Sequence, residues 1–155
     1  MKSFMLKAIR SAQTGMRRGD GGPFGASIVK GKKIIAVAHN TVLKNQDPTC
    51  HSEINAIRIA SRQLRSFSLK GCVIYSTTEP CPMCFAAIHW SRIGRIFYGT
   101  GIKDVRKRGF NELSISAGTL KKMGKSPVQV HPGYMKKECL DLLEEWDFIP
   151  KKKVY

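Results

Sequence analysis

Two short clusters, His51-Ser52-Glu53 and Pro80-Cys81-Pro82-Met83-Cys84, constrain this chain more than any other feature. Each opens a stretch with helical periodicity. Ile54, Ile57, Ala60 and Leu64 share one face over residues 51–65, and Pro80 precedes a helix expected over 82–91. Proline suits the start of a helix, where a missing N–H costs nothing, and Cys81 and Cys84, three apart, then lie on one face of the first turn. The partial positive charge of a helix N-terminus favours thiolates there. If both helices follow neighbouring strands, their first turns point at the same spot, and one imidazole meets two sulfurs. Such a set binds zinc, at ~2.0 Å from nitrogen and ~2.3 Å from sulfur.

The rest of the chain is compatible with that arrangement. Met5, Ala8, Ile9, Ala12 and Met16 predict an amphipathic helix over 3–17, broken by Gly19-Asp20-Gly21-Gly22-Pro23. Two β-rich runs, 26–30 and 33–39, flank Gly31-Lys32 as a hairpin, and a polar loop follows over 40–50. Residues 72–77 form a continuous β run suited to a buried central strand, and 95–99 is another. Beyond them the pattern predicts a helix over 111–122, a strand over 127–131 and a helix over 134–147. Strands alternating with helices predict a single α/β sandwich spanning 1–155, its mixed sheet made of a hairpin and then parallel βα units.

Composition excludes some classes and leaves others open. A hydrophobic fraction of 42% with 25% charged residues is that of an ordinary globular protein. No window approaches a membrane span, and lysines at positions 2 and 7 leave no room for a signal-peptide apolar region, so a cytoplasmic protein without a membrane partner is expected. Lys and Arg number 27 against 11 Asp and Glu, a net charge of +16 spread along the chain, which attracts anions and nucleic acid without naming a partner. Of the five cysteines, Cys50, Cys72 and Cys139 show no framework spacing.

Three protein ligands leave a coordination position for water, the arrangement of catalytic rather than structural zinc. Glu53, two residues from a ligand, can stand beside that water, accept its proton and return it to a leaving group. The competing readings are a redox C-x-x-C pair and a closed structural site with His89 or Cys72 as fourth ligand. His89 lies five residues past Cys84, off the shared helix face, and Cys72 sits inside a strand. H-x-E followed by P-C-x-x-C is the pattern of zinc-dependent base deaminases.

On these residues the chain resembles the cytidine/nucleobase deaminase superfamily, and within it the bacterial guanine deaminases. The resemblance runs from the first helix to the end of the chain. It is carried by Gly21-Gly22-Pro23-Phe24-Gly25-Ala26, Asn45-Gln46-Asp47-Pro48-Thr49, His51–Glu53 with Ala56-Ile57-Arg58, Glu79–Cys84, Ala87-Ile88-His89-Trp90 and the ending Lys152-Lys153-Val154-Tyr155. It implies a three-layer α/β/α sandwich around a central mixed five-stranded sheet. It further implies one zinc per subunit on His51, Cys81 and Cys84, with Glu53 as proton shuttle. By the same resemblance, substrate contacts fall on Phe24 and Trp90 as aromatic walls, Asn40 as amide partner, and Tyr155. Two positions depart from the family pattern. Ser52 replaces an alanine and places a hydroxyl near the purine's rim. Asn111-Glu112 replaces an acidic pair, with Glu112 keeping the carboxylate that meets the guanine edge and assists catalysis there.

The implied reaction is hydrolysis of guanine to xanthine and ammonia, by a homodimer in which residues 148–155 cross to the partner. Rival readings are a tRNA adenosine deaminase, supported by the charge and by Ser91-Arg92-Ile93-Gly94-Arg95, a guanosine or other nucleoside deaminase, and a zinc-stabilised RNA-binding module with no activity.

Overall fold

The structure is a computed structural model describing residues 2–155. Helix α1 spans Lys2–Arg18 and buries Met5, Ala8, Ile9, Ala12 and Met16, the face expected from their spacing. Strands β1 (Gly25–Lys30) and β2 (Lys33–His39) form the hairpin, with Gly31 in the left-handed region at φ +60° and a register shift between Ile28 and Val29. Helix α2 (Val42–Asn45) is a single turn inside the segment expected to be loop. Then follow α3 (Ser52–Leu64), β3 (Cys72–Thr78), α4 (Pro82–Trp90) and β4 (Arg95–Thr100), close to their expected bounds.

The later part differs more. A short α5 (Ile102–Arg106) was not expected. The helix expected over 111–122 shrinks to α6 (Ala117–Met123), because the Ser116 hydroxyl caps it by accepting from the Thr119 N–H. Residues 107–116 lie outside any helix. Strand β5 keeps only Gln129–His131, and α7 (Lys136–Asp147) closes the series.

The five strands lie in the order β2-β1-β3-β4-β5, with β1 antiparallel to both neighbours and β3, β4 and β5 mutually parallel. Period-2 alternation divides the side chains between two cores. Ile28, Ile74 and Ile96 face α3 and α4 through Ala56, Ala60, Phe85 and Ile88. Val29 and Tyr75 face α1 and α7 through Met5, Met16, Leu142 and Trp146. The result is the expected three-layer α/β/α sandwich, whose sheet is covered on both faces and whose central β3 is almost wholly buried.

Strand direction then decides where chemistry can sit. Register pairs Gly25 with His39, Ala26 with Ser76, and Thr78 with Thr100. The start of β1 and the ends of β2, β3 and β4 therefore share one edge of the sheet, and Phe24, Asn40, Glu79 and Gly101 emerge there together. In α/β sheets, binding sites form beyond the carboxyl ends of the parallel strands.

Candidate metal centre and its cavity

His51 and Cys81 are the N-cap residues of α3 and α4, both with extended backbone, and neither side chain caps its own helix. Freed from capping, the two side chains turn toward each other. His51 Nδ1 lies 3.7 Å from Cys81 Sγ and 3.6 Å from Cys84 Sγ. All the donor atoms fall within 4.8 Å of one another. A tetrahedral zinc with ordinary bond lengths needs its nitrogen and sulfur ligands about 3.5 Å apart, so the donors present suit that ion in kind and spacing. The Cys84 thiol hydrogen-bonded to Cys81, helped by nearby His51, holds the Cys81 thiol down to about 4 against burial. Burial pulls the His51 imidazole down, but its bond to Cys81 and the Glu53 charge outweigh that and raise it. The bare donors thus favour a thiolate at Cys81, with the His51 imidazole held more basic by it.

Neither alternative fourth ligand joins this group. His89 Nδ1 is hydrogen-bonded to Ser126 Oγ at 2.8 Å, and Cys72 sits at the far end of β3 from Thr78. Asn55 fixes the approach of His51 by donating from Nδ2 to the His39 and Cys50 carbonyls and to Thr41 Oγ1, which stitches the loop onto α3.

Glu53 is buried at 6% exposure. Its Oε2 accepts from Ser52 Oγ at 2.9 Å, its Oε1 accepts from Ser76 Oγ at 3.0 Å, and Cys84 Sγ lies 3.6 Å from Oε2. Burial, reinforced by the Cys81 charge, raises the Glu53 carboxyl above its usual range. Ser52 is itself fully buried and does not reach a rim. The expectation for it is corrected: as the first residue of α3 it points inward, and its hydroxyl goes to the carboxylate.

A cavity of about 330 Å³ opens beside this group, lined by His51, Glu53, Cys81, Phe24, Asn40, Glu112 and Tyr155 among others. That is the small end of ligand pockets and suits a single heterocyclic base. Phe24 packs edge-on to Phe110, which in turn meets the Tyr155 ring at 85°. Tyr155 donates its hydroxyl to Asn40 Oδ1 at 2.5 Å and accepts from the Gly22 N–H at 3.0 Å. Asn40 Oδ1 also accepts from the Val42 N–H. With its oxygen so engaged, the Asn40 amide is fixed in one orientation, and its Nδ2 is buried without a partner. A buried donor left open on a cavity wall is a place for a ligand's acceptor. Glu112 supplies the complementary acceptor, and burial with the neighbouring Cys81 charge pushes its carboxyl up to about 7.

Trp90 does not join them. It ends α4, six residues beyond Cys84 and therefore about 9 Å farther along the axis, and it is 80% exposed. The aromatic wall expected from it is absent from this chain's cavity; Phe110 contributes the ring instead. The segment over 148–155 reaches the cavity of its own chain here, where the Tyr155 main-chain oxygen accepts from the Asn111 N–H. Sequence reading missed Ser76, Asn55 and Glu79. Glu79 accepts the Ile102 N–H on Oε2 and the Ala117 N–H on Oε1, bracketing the segment that carries Glu112. Polar residues ending an otherwise apolar strand were the available signal for Ser76.

The family model for the cytidine and deoxycytidylate deaminase zinc-binding region matches residues 1–100. The chain belongs to this family. It is 42% identical over 111 residues to the guanine deaminase of Bacillus subtilis, covering 72% of this chain and 71% of that one. The solved structure of that enzyme superposes with a TM-score of 0.68 at 36% identity, covering 99% and 98% of the two chains. The chain is also 44% identical over 98 residues to the tRNA-specific adenosine deaminase of Aquifex aeolicus, covering 63% and 64%. A structure from work on tRNA:A34 deaminases superposes with a TM-score of 0.80 at 30% identity, covering 92% of this chain and all of that one. The protein is a deaminase, and its fold is that of the cytidine deaminase superfamily.

Proposed function

We propose that this deaminase uses zinc on His51, Cys81 and Cys84 to hydrolyse free guanine to xanthine and ammonia. The observation that carries the substrate assignment is the unpartnered Asn40 Nδ2 in a base-sized cavity that also holds the Glu112 and Glu53 carboxylates. Guanine offers a carbonyl oxygen to the amide and N–H donors at N1 and the 2-amino group to a carboxylate.

Bound zinc supplies a Lewis acid that makes water nucleophilic near neutral pH. Glu53 removes a proton from the water that attacks C2 and delivers it to the adjacent ring nitrogen. It then takes the remaining proton from the new C2 hydroxyl and delivers it to the departing amino group, which leaves as ammonia as the carbonyl forms. A carboxyl raised by burial holds that proton between the steps, and the Ser52 and Ser76 hydroxyls keep both oxygens aimed. Phe24 gives the ring an apolar face, Glu112 receives the guanine edge, and Tyr155 holds the amide while closing the cavity.

The likeness to tRNA-specific adenosine deaminases and the +16 charge favour a second reading, deamination of adenosine in RNA. Ammonia release from guanine, guanosine, cytosine and deacylated tRNA, measured on one zinc-loaded preparation, separates the two. Turnover of guanine alone supports the first reading, and turnover of tRNA alone replaces it.

A further inference from the structure

A second cavity lies outside the catalytic one, where the end of α1 meets the tail that follows α7. It measures about 440 Å³, and Arg17, Arg18, Lys151, Lys152, Lys153 and Trp146 line it, with no Asp or Glu among its walls. The Lys151-Lys152-Lys153 run is a charge tract that the deaminase chemistry does not use. Arg17 is paired with Glu145, and Lys152 Nζ donates to the Asp147 carbonyl. Among the described residues, Arg18, Lys151 and Lys153 form no ion pair with any carboxylate.

Basic residues in the last turn of α1 answer the partial negative charge of a helix C-terminus. That accounts for the arginines but not for folding three lysines back onto them. Water screens such exposed charges, yet cations around one concave space with no carboxylate on its walls favour an anion there. A second observation points the same way. Trp146, at 2% exposure, contributes to the wall, and its indole N–H is buried with no partner. An N–H can only donate, so what satisfies it is an acceptor.

We infer that this cleft binds a phosphate group, and that occupancy pins the tail whose last residue, Tyr155, lines the catalytic cavity. The cations would grip the phosphate oxygens, and a small shift of the Trp146 ring that bares its indole N–H would add a donor. Only Val154 separates Lys153 from Tyr155, so restraint applied at the lysines is passed along a short length of backbone to the Asn40–Tyr155 bond. The inference does not depend on which base is deaminated.

The test uses the full, zinc-loaded chain carrying Trp90→Phe, which leaves Trp146 as the single tryptophan. Inorganic phosphate is titrated against Trp146 emission, and hydrogen exchange of residues 150–155 is followed in parallel. The expected result is saturable binding at one site per chain, with tail exchange slowed at least threefold at saturation. Lys151→Glu with Lys153→Glu should weaken that binding at least tenfold. A short RNA oligonucleotide that competes with phosphate assigns the site to backbone phosphates, and one that does not compete assigns it to a small anion. The inference is overturned if phosphate gives no saturable signal or if tail exchange is unchanged at saturation. It also fails if the charge reversals leave affinity intact, as phosphate bound at the metal centre would.

Discussion

The candidate metal centre and the proposed substrate rim face each other across one cavity yet are built differently. His51, Cys81 and Cys84 stand on the first turns of α3 and α4, helices packed on the sheet through Ala56, Ala60, Phe85 and Ile88. Glu112 and Tyr155 come from irregular segments, 107–116 and the tail, held by scattered hydrogen bonds such as Asn111 N–H to the Tyr155 main-chain oxygen rather than by a helix or a strand ladder. A reaction needs its metal and its proton carrier within fractions of an ångström, which buried secondary structure supplies. Choice of substrate varies through loops that can change without disturbing the sheet. This chain's two classes of relative, guanine deaminase and tRNA-specific adenosine deaminase, are named for different substrates.

The sharpest test of the rigid half is Glu53→Gln. It preserves shape and metal ligands but cannot accept a proton, and kcat should fall by about 10²–10⁴ while metal analysis still finds one zinc per chain. Near-normal ammonia release from that variant would remove Glu53 from the reaction.

The rim should respond through binding. Tyr155→Phe deletes the hydroxyl that bonds Asn40 Oδ1 and the Gly22 N–H, so the amide loses one of the contacts that fix its orientation. A net hydrogen-bond contribution of about 1–1.5 kcal/mol predicts a KM higher by roughly tenfold, with kcat changed less. Gly21→Ala attacks the same amide from behind, since an added Cβ would fall 2.1 Å from Asn40 Oδ1. A mutant that lowers kcat and leaves KM alone would place Tyr155 in the chemical step instead.

Glu112 gives the rim a pH signature. In the metal-stripped protein its carboxyl titrates near 7 rather than at 4.5. Between those values the unfolded chain has released this proton and the folded chain still holds it, so folding binds protons and stability declines as pH rises through the window. Urea midpoints measured from pH 4.5 to 7 should fall more steeply in the wild type than in Glu112→Gln. Parallel profiles would mean that Glu112 is solvated.

Legibility followed the same division. Helix α1 carries an unambiguous period, the hairpin and β3 read as β-rich runs, and the spacings of His51, Cys81 and Cys84 point to one cluster, whose donor atoms the fold brings within 4.8 Å of one another. Residues 107–116 have no period at all. The helix expected over 111–122 ignored Ser116, whose hydroxyl caps α6 from that point, and α5 is too short for its apolar pattern to stand out. Trp90, exposed and off this chain's cavity, shows that a motif gives a residue's place along a helix but not which cavity that turn faces. Ser76 and Glu79 act through hydrogen bonds between segments distant in sequence, which no local pattern encodes.

Ser52 tests the smallest difference, between a proton carrier that is merely present and one that is aimed. Its hydroxyl donates to Glu53 Oε2, while Ser76 separately holds Oε1. Ser52→Ala removes one of the two bonds without opening the site, because the missing oxygen is small and the residue is fully buried. Ser76 and the surrounding walls still confine the carboxylate, so the expected loss in kcat is less than tenfold, with KM unchanged. Ser76→Ala alone should cost a similar amount. If the two bonds aim one group, the double variant should lose more than the product of the single losses, since nothing then fixes either oxygen. Losses that simply multiply would show each hydroxyl acting on its own, with Glu53 oriented by packing rather than by this pair.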